Sequence, residues 1–204
     1  MKAHCFNRRN WSCKLQNKTL LREKIFALRR AIDTDVRQRA AEKAVALLQQ
    51  HLIFQKSQSI ACYLPREEEF NSMPMIQAIW RSGKKCYLPV LLPDRSLVFA
   101  SYKINDALVP NRYNILEPEN TERIPAQQLD LVLMPLVAFD ENGGRLGMGG
   151  GYYDRTFAFT KKSVSAQPFL MGVAYALQQV DMLPQDEWDV VLDGIITELD
   201  CRQI

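Results

Sequence analysis

The sequence predicts an α/β fold, a mostly parallel sheet preceded by two N-terminal helices, and three observations lead there. Short apolar runs ended by proline, at residues 59–65 and 85–89, flank a segment with helical spacing. Residues 129–134, apolar except for Asp130, read as a strand buried on both faces. Six of the nine glycines fall within residues 143–151, just beyond that run. The chain has 204 residues, 47% hydrophobic and 24% charged, which suits one soluble domain with a sizeable core.

Taken in order, residues 1–17 carry Arg8, Arg9 and Lys14 but no apolar run of the secretory kind, and are expected to be a disordered tail or a wrongly assigned start. From Lys18, Leu21, Ile25, Leu28 and Ile32 recur at spacings of four, three and four, the apolar stripe of a first helix. Lys18, Arg22 and Arg29 read as a cationic stripe opposite it, by itself a solvated face. Asp33-Thr34 supplies a break and an N-cap for a second helix, with Val36, Ala40, Ala44, Leu47 and Leu48 on one face, reaching about His51. Met75, Ile76, Ile79 and Trp80 mark the helix between the two proline-ended strands, and a right-handed crossover makes those strands parallel neighbours. Further strands are expected at residues 97–102, 129–134, 169–174 and 190–197, and residues 109–125, rich in Pro and Asn, read as a loop.

Charge and cysteines exclude several classes. A net charge of +3 is too mild for a nucleic-acid binder and fits small anionic ligands. Five dispersed cysteines without a C-x-x-C pair imply neither disulfides nor zinc, and with no bilayer-spanning segment the expected location is the cytoplasm. The only histidines, His4 and His51, leave little room for Ser–His or Cys–His catalysis.

The glycine cluster carries the strongest functional signal. In an open parallel sheet, ligands bind beyond the carboxyl ends of strands. Glycine there lets the backbone take positive φ and bring N–H groups against phosphate oxygens. The segment matches neither the Walker A pattern nor G-x-G-x-x-G. The competing reading is a flexible linker, against which Arg145 and the run Tyr152-Tyr153-Asp154-Arg155 argue for an ordered anion site.

The stretch Gly144-Arg145-Leu146-Gly147-Met148-Gly149-Gly150-Gly151-Tyr152-Tyr153-Asp154-Arg155 resembles the phosphate loop of the 5-formyltetrahydrofolate cyclo-ligase family, also called methenyltetrahydrofolate synthetases. The resemblance extends by order of elements over residues 18–200 and implies a Rossmann-like three-layer α/β/α sandwich. It implies ATP and Mg²⁺ as cofactors and 5-formyltetrahydrofolate as substrate, in a monomer with no nucleic-acid or membrane partner. Lys18 and Arg22 match cations that reach ATP phosphates, joined by Arg145, Leu146, Gly147, Met148, Gly149, Gly150, Gly151, Tyr152 and Tyr153. Leu64, Glu69 and residues 148–152 match the folate site, Arg145 and Tyr152 the catalytic pair, and Asp154 and Asp189 the carboxylates offered to Mg²⁺. Glu68 stands where the family usually has glycine or aspartate, which leaves open whether Glu68 or Glu69 turns inward; Glu67 completes that acidic run. Asp193 competes with Asp189 for the metal, and both compete with a surface-turn role. Phe139, Trp80 and Trp188 are further stacking candidates, each equally explained as core.

Two rival functions remain at this point. A sugar-phosphate isomerase or acyl-transfer enzyme on a related fold would use the same loop without ATP. An RNA-binding module would use the basic tail and first helix, and would lose binding on deletion of residues 1–17.

Overall fold

The computed structural model describes residues 8–66, 68–119, 121–162 and 168–204, with side chains described from Lys18 onward except Lys162. Residues 1–7 of the expected tail, and Glu67, lie outside the described residues.

Three helices precede the first strand, one more than the sequence suggests. Helix α1 (Arg8–Arg30) starts well before Lys18, because residues 8–17 hold no proline or glycine to stop it. The Asp33 carboxylate accepts from Asp35 N and starts α2 (Thr34–Gln50). His51 ends α2 and also opens α3 (Leu52–Lys56), its imidazole Nδ1 accepting from Ile53 N at 3.3 Å. That second use of His51 is the reason for the extra helix.

The face reading of α1 needs correction. Ile25 and Arg29 are both buried at 2% exposure, while Leu28 is 42% exposed. At 100° per residue, Arg22 and Arg29 lie within about 60° of Ile25, so the cations flank the apolar seam. The stripe, which by charge pattern alone reads as a solvated face, is turned into the protein.

Strand β1 (Ser59–Ala61), α4 (Met73–Arg81) and β2 (Lys85–Leu91) form the expected crossover unit, with Ile60 paired in parallel to Cys86. The antiparallel strand β3 (Leu97–Ser101) follows. The segment expected as a loop holds a hairpin, β4 (Leu108–Pro110) and β5 (Leu116–Pro118), and an edge strand, β6 (Arg123–Ile124). Asn111 builds the hairpin turn by accepting from Tyr113 N and Ile115 N at 2.9 and 3.1 Å. Then come β7 (Leu131–Pro135), the small hairpin β8 (Ala138–Phe139) and β9 (Arg145–Leu146), α5 (Tyr152–Thr156), β10 (Phe169–Val173), β11 (Gly194–Ile196) and β12 (Cys201–Gln203). The strand expected over residues 190–197 is shorter. Val190 N and Leu192 N donate outside the sheet, to Asp154 Oδ1 and to Gly143 O, leaving only Gly194–Ile196 paired with β10.

The main sheet runs β12-β11-β10-β7-β1-β2-β3-β6. Its middle five strands, β11 to β2, are parallel, and β12, β3 and β6 are antiparallel additions at the edges. Side chains alternate across it. Ile60, Leu131, Leu133, Met171 and Val173 pack beneath α2, α3 and α4, while Ala61, Val132, Met134 and Leu170 pack against Phe99, Phe139 and Phe157 on the other face. That second face is closed by α5 and a 3₁₀ turn (Ala158–Lys162) rather than by long helices.

Candidate active site

Among the parallel strands the chain grows from β1 sideways to β2, then from the other side of β1 through β7, β10 and β11. Connections above β1 and β7 therefore diverge, and a crevice opens at their carboxyl ends. A cleft of about 810 Å³ occupies that place, a size suited to small-molecule ligands. Tyr63 and Leu64 from the end of β1, Leu136 and Val137 from the end of β7, Lys18 and Arg22 from α1, and Ile115 and Leu116 from the β4–β5 hairpin all line it.

The glycine cluster divides into two parts with different work. Gly143 and Gly144 make the β8–β9 turn around buried Asp140, whose Oδ1 accepts from Asn142 N and Gly144 N and whose Oδ2 accepts from Leu183 N, at 3.0, 2.9 and 2.8 Å. Gly147 to Gly151 line the cleft. Gly149 at φ +96° and Gly151 at φ +69° hold left-handed conformations that turn the loop. Among the described residues, no backbone N–H from Gly147 to Gly151 donates a hydrogen bond. Helix α5, which Gly151 caps, has five residues, so its dipole is small and the anion-binding capacity rests on these open amides.

Cations and carboxylates surround the loop in pairs. Arg22 Nε donates to Gly147 O at 2.9 Å. Arg145, with its side chain only 4% exposed, meets Asp154 Oδ1 at 2.5 Å and sits 5.8 Å from the centre of the Tyr153 ring. Lys18 Nζ lies between Asp186 Oδ2 at 2.9 Å and Asp189 Oδ2 at 3.3 Å. Burial alone would lower the Lys18 pKa, but the two carboxylates more than offset it and raise it. Burial lowers the Arg22 pKa.

Asp154 and Asp189 both reach the cleft, with Asp154 Oδ1 and Asp189 Oδ2 already accepting from protein donors. Among the described residues no group of three or more His, Cys, Asp or Glu is placed to hold a metal. The pair therefore fits Mg²⁺ only as partial ligands beside phosphate oxygens and water, which is how Mg²⁺ is commonly held. Asp193 plays no part in the cleft: its Oδ2 accepts from Leu170 N at 2.8 Å and ties β10 to the segment before β11.

Leu64 and Glu69 also line the cleft. Glu69 Oε2 accepts from Arg66 N at 3.1 Å, whereas Glu68 pairs outward with Arg30, so Glu69 is the inward carboxylate. Burial raises the Glu69 pKa against the pull of the Arg66 amide, Arg29 and Arg66. Burial and the nearby Glu69 push the Tyr63 and Tyr153 phenols well up, which keeps them neutral donors. Tyr152, Tyr153 and Trp188 line the cleft; Phe139 does not, being fully buried in the core, and Trp80, on α4, packs against the Tyr102 ring with its indole N–H donating to Tyr102 O at 2.9 Å.

Every residue carried over by resemblance thus lines one cleft, although the residues are spread from position 18 to 189. Arg66, Tyr113 and Asp186 also line it and were not singled out from the sequence. Tyr113 hides in the segment taken as a loop, and its hydroxyl lies 3.5 Å from that of Tyr152. For Asp186 the one sequence signal is its spacing of three from Asp189.

Comparison with known proteins agrees with this geometry. The model of the 5-formyltetrahydrofolate cyclo-ligase family matches residues 14–198. The chain is 38% identical over 173 residues to the 5-formyltetrahydrofolate cyclo-ligase of Escherichia coli, covering 83% of this chain and 93% of that protein. It is 39% identical to the Haemophilus influenzae protein of the same name, over 82% of this chain and 90% of the relative. Among solved structures, the Aquifex aeolicus 5,10-methenyltetrahydrofolate synthetase superposes with a TM-score of 0.78 at 31% identity, covering 91% of this chain and 92% of the other.

Proposed function

The chain belongs to the 5-formyltetrahydrofolate cyclo-ligase family, and we propose that its cleft closes the formyl group of 5-formyltetrahydrofolate into 5,10-methenyltetrahydrofolate, consuming ATP and releasing ADP and phosphate. A formamide carbon is a poor electrophile. Transfer of the terminal phosphoryl group to the formyl oxygen makes that carbon an activated iminium phosphate. The neighbouring amine nitrogen attacks it and gives up its proton to solvent, the five-membered ring closes, and the C–O bond breaks as phosphate leaves.

Phosphoryl transfer asks the protein mainly for positioning and charge stabilisation. The open amides from Gly147 to Gly151, with Leu146 and Met148 setting the loop's path, cradle the phosphates. Lys18, Arg22 and Arg145 neutralise them, and Tyr152 and Tyr153 wall the junction with the pterin. Leu64 and Glu69 hold the pterin, the carboxylate accepting from ring and amine N–H groups. Asp154 and Asp189 would hold Mg²⁺, which supplies charge neutralisation at the phosphates when bound. The parallel-strand order with apolar layers on both faces supports a Rossmann-like three-layer sandwich. We read the enzyme as a cytoplasmic monomer without nucleic-acid partners.

One observation carries the proposal: the row of unpaired loop amides shares a cleft with Lys18, Arg22, Arg145 and a half-buried glutamate, Glu69. The test is to mix purified protein, 5-formyltetrahydrofolate and Mg-ATP, and to follow ADP and the methenyl chromophore together. The two should appear one for one and neither without ATP. Product formed in the absence of ATP would refute the mechanism and favour the isomerase-type reading.

A further inference from the structure

The geometry points to Asp186 as the positioning residue for Lys18. The inference rests on the reading that Lys18 contacts the ATP phosphates.

An ammonium has three N–H donors. In this structure Lys18 Nζ gives one to Asp186 Oδ2 at 2.9 Å and one to Asp189 Oδ2 at 3.3 Å. The Lys18 side chain is 14% exposed, so water replaces these partners poorly. The two carboxylates are not equivalent. Asp189 Oδ2 also accepts from Asp186 N at 2.9 Å and makes the longer contact to Lys18, while Asp186 Oδ2 serves Lys18 alone at the shorter distance.

When phosphates and a divalent cation enter, Asp189 is the carboxylate proposed to turn toward the metal. Lys18 then keeps its direction only if a second counter-ion remains. Asp186 is that second counter-ion. It holds one ammonium donor and leaves another aimed at the phosphate, so the long lysine stem is ordered before ATP arrives and its rotamer entropy is not lost on binding. In the free enzyme the Asp189 contact covers for Asp186, so removing the Asp186 charge is felt mainly when nucleotide binds.

Four variants test this: Lys18→Met, Asp186→Asn, Asp186→Glu and the double variant Lys18→Met with Asp186→Asn. For Asp186→Asn the expected result is an ATP KM raised about fivefold, with a smaller change in kcat, an unmoved KM for 5-formyltetrahydrofolate and an unmoved Tm. Asp186→Glu should recover part of the ATP KM, and on the Lys18→Met background Asp186→Asn should add nothing. The inference is overturned if Asp186→Asn raises the ATP KM by the same factor with and without Lys18, or raises the KM of both substrates alike. A Lys18→Met enzyme with unchanged ATP KM overturns the assignment of Lys18 itself, and the positioning role goes with it. A Lys18→Met enzyme that is impaired while Asp186→Asn is silent overturns the Asp186 role alone.

Discussion

At the residue scale, the site is organised by a few charges placed where burial magnifies them. Arg145 is almost fully buried against Asp154, at the base of the loop that would cradle the phosphates. Replacing it with alanine leaves Asp154, 22% exposed and still accepting from Val190 N, to be solvated through the open cleft, so the fold should survive. The kcat should fall about 100- to 1,000-fold, as when one preorganised electrostatic contact to a transition state is lost; ATP-dependent methenyl formation at saturating substrate is the measurement. Glu69 gives a pH-dependent expectation. Its pKa is raised in the folded state, chiefly by burial, so the folded protein binds more protons than the unfolded chain between the ordinary glutamate range and the raised value. Stability should therefore decline as pH rises through that window, and Glu69→Gln should flatten the decline. Melting temperatures of both proteins from about pH 4 to pH 7 check the sign; a wild-type curve that rises more steeply than the variant's across this range would contradict it.

At the scale of elements, what the sequence reveals depends on whether the information is local. The glycine loop is legible because its twelve residues lie side by side, and its division into a turn around Asp140 and an open amide row is the one detail local reading missed. The β4–β5 hairpin was not legible: its strands are three residues each and lie in a Pro- and Asn-rich stretch, so neither periodicity nor propensity could show them. Charge pattern alone does not show the inward turn of the α1 cations, which for Lys18 and Arg22 only the resemblance implies, because Arg22 and Arg29 donate to Gly147 O and Leu136 O, partners more than 100 positions away. The loop also makes a graded prediction. Alanine at Gly149 would find ordinary contact, with Arg22 at 3.5 Å, but must adopt φ +96°, whereas alanine at Gly147 meets nothing closer than 3.6 Å and no positive φ. Gly149→Ala should cost about 1 kcal/mol of stability and raise the ATP KM, while Gly147→Ala should be nearly neutral for stability. Urea unfolding of both variants, with unchanged slopes, separates strain at Gly149 from a general intolerance of the loop.

For the whole molecule, the decisive fact is strand order. No stretch of sequence states that β1 lies between β2 and β7, yet that order opens the crevice and brings residues from positions 18, 64, 69, 145–154 and 189 to one cleft. A ligand bound there touches α1, the ends of β1 and β7, the loop and the β4–β5 hairpin, none of which keeps its geometry in the unfolded chain. Binding must therefore raise global stability: at a ligand concentration 100 times Kd the gain is about 2.7 kcal/mol, or about 5–10 °C in Tm for a chain of this length. Mg-ATP and 5-formyltetrahydrofolate, added singly, should each shift the melting curve. On the proposed division of roles, with Lys18 at the phosphates and Glu69 at the pterin, Lys18→Met should shrink the Mg-ATP shift and spare the folate shift, and Glu69→Gln the reverse. Chelating Mg²⁺ should act like Lys18→Met, since both weaken the neutralisation of the same phosphates. If either substitution instead abolished both shifts while leaving the ligand-free Tm unchanged, the cleft would not be divided into a phosphate end and a pterin end, and the distribution of roles along it would have to be redrawn.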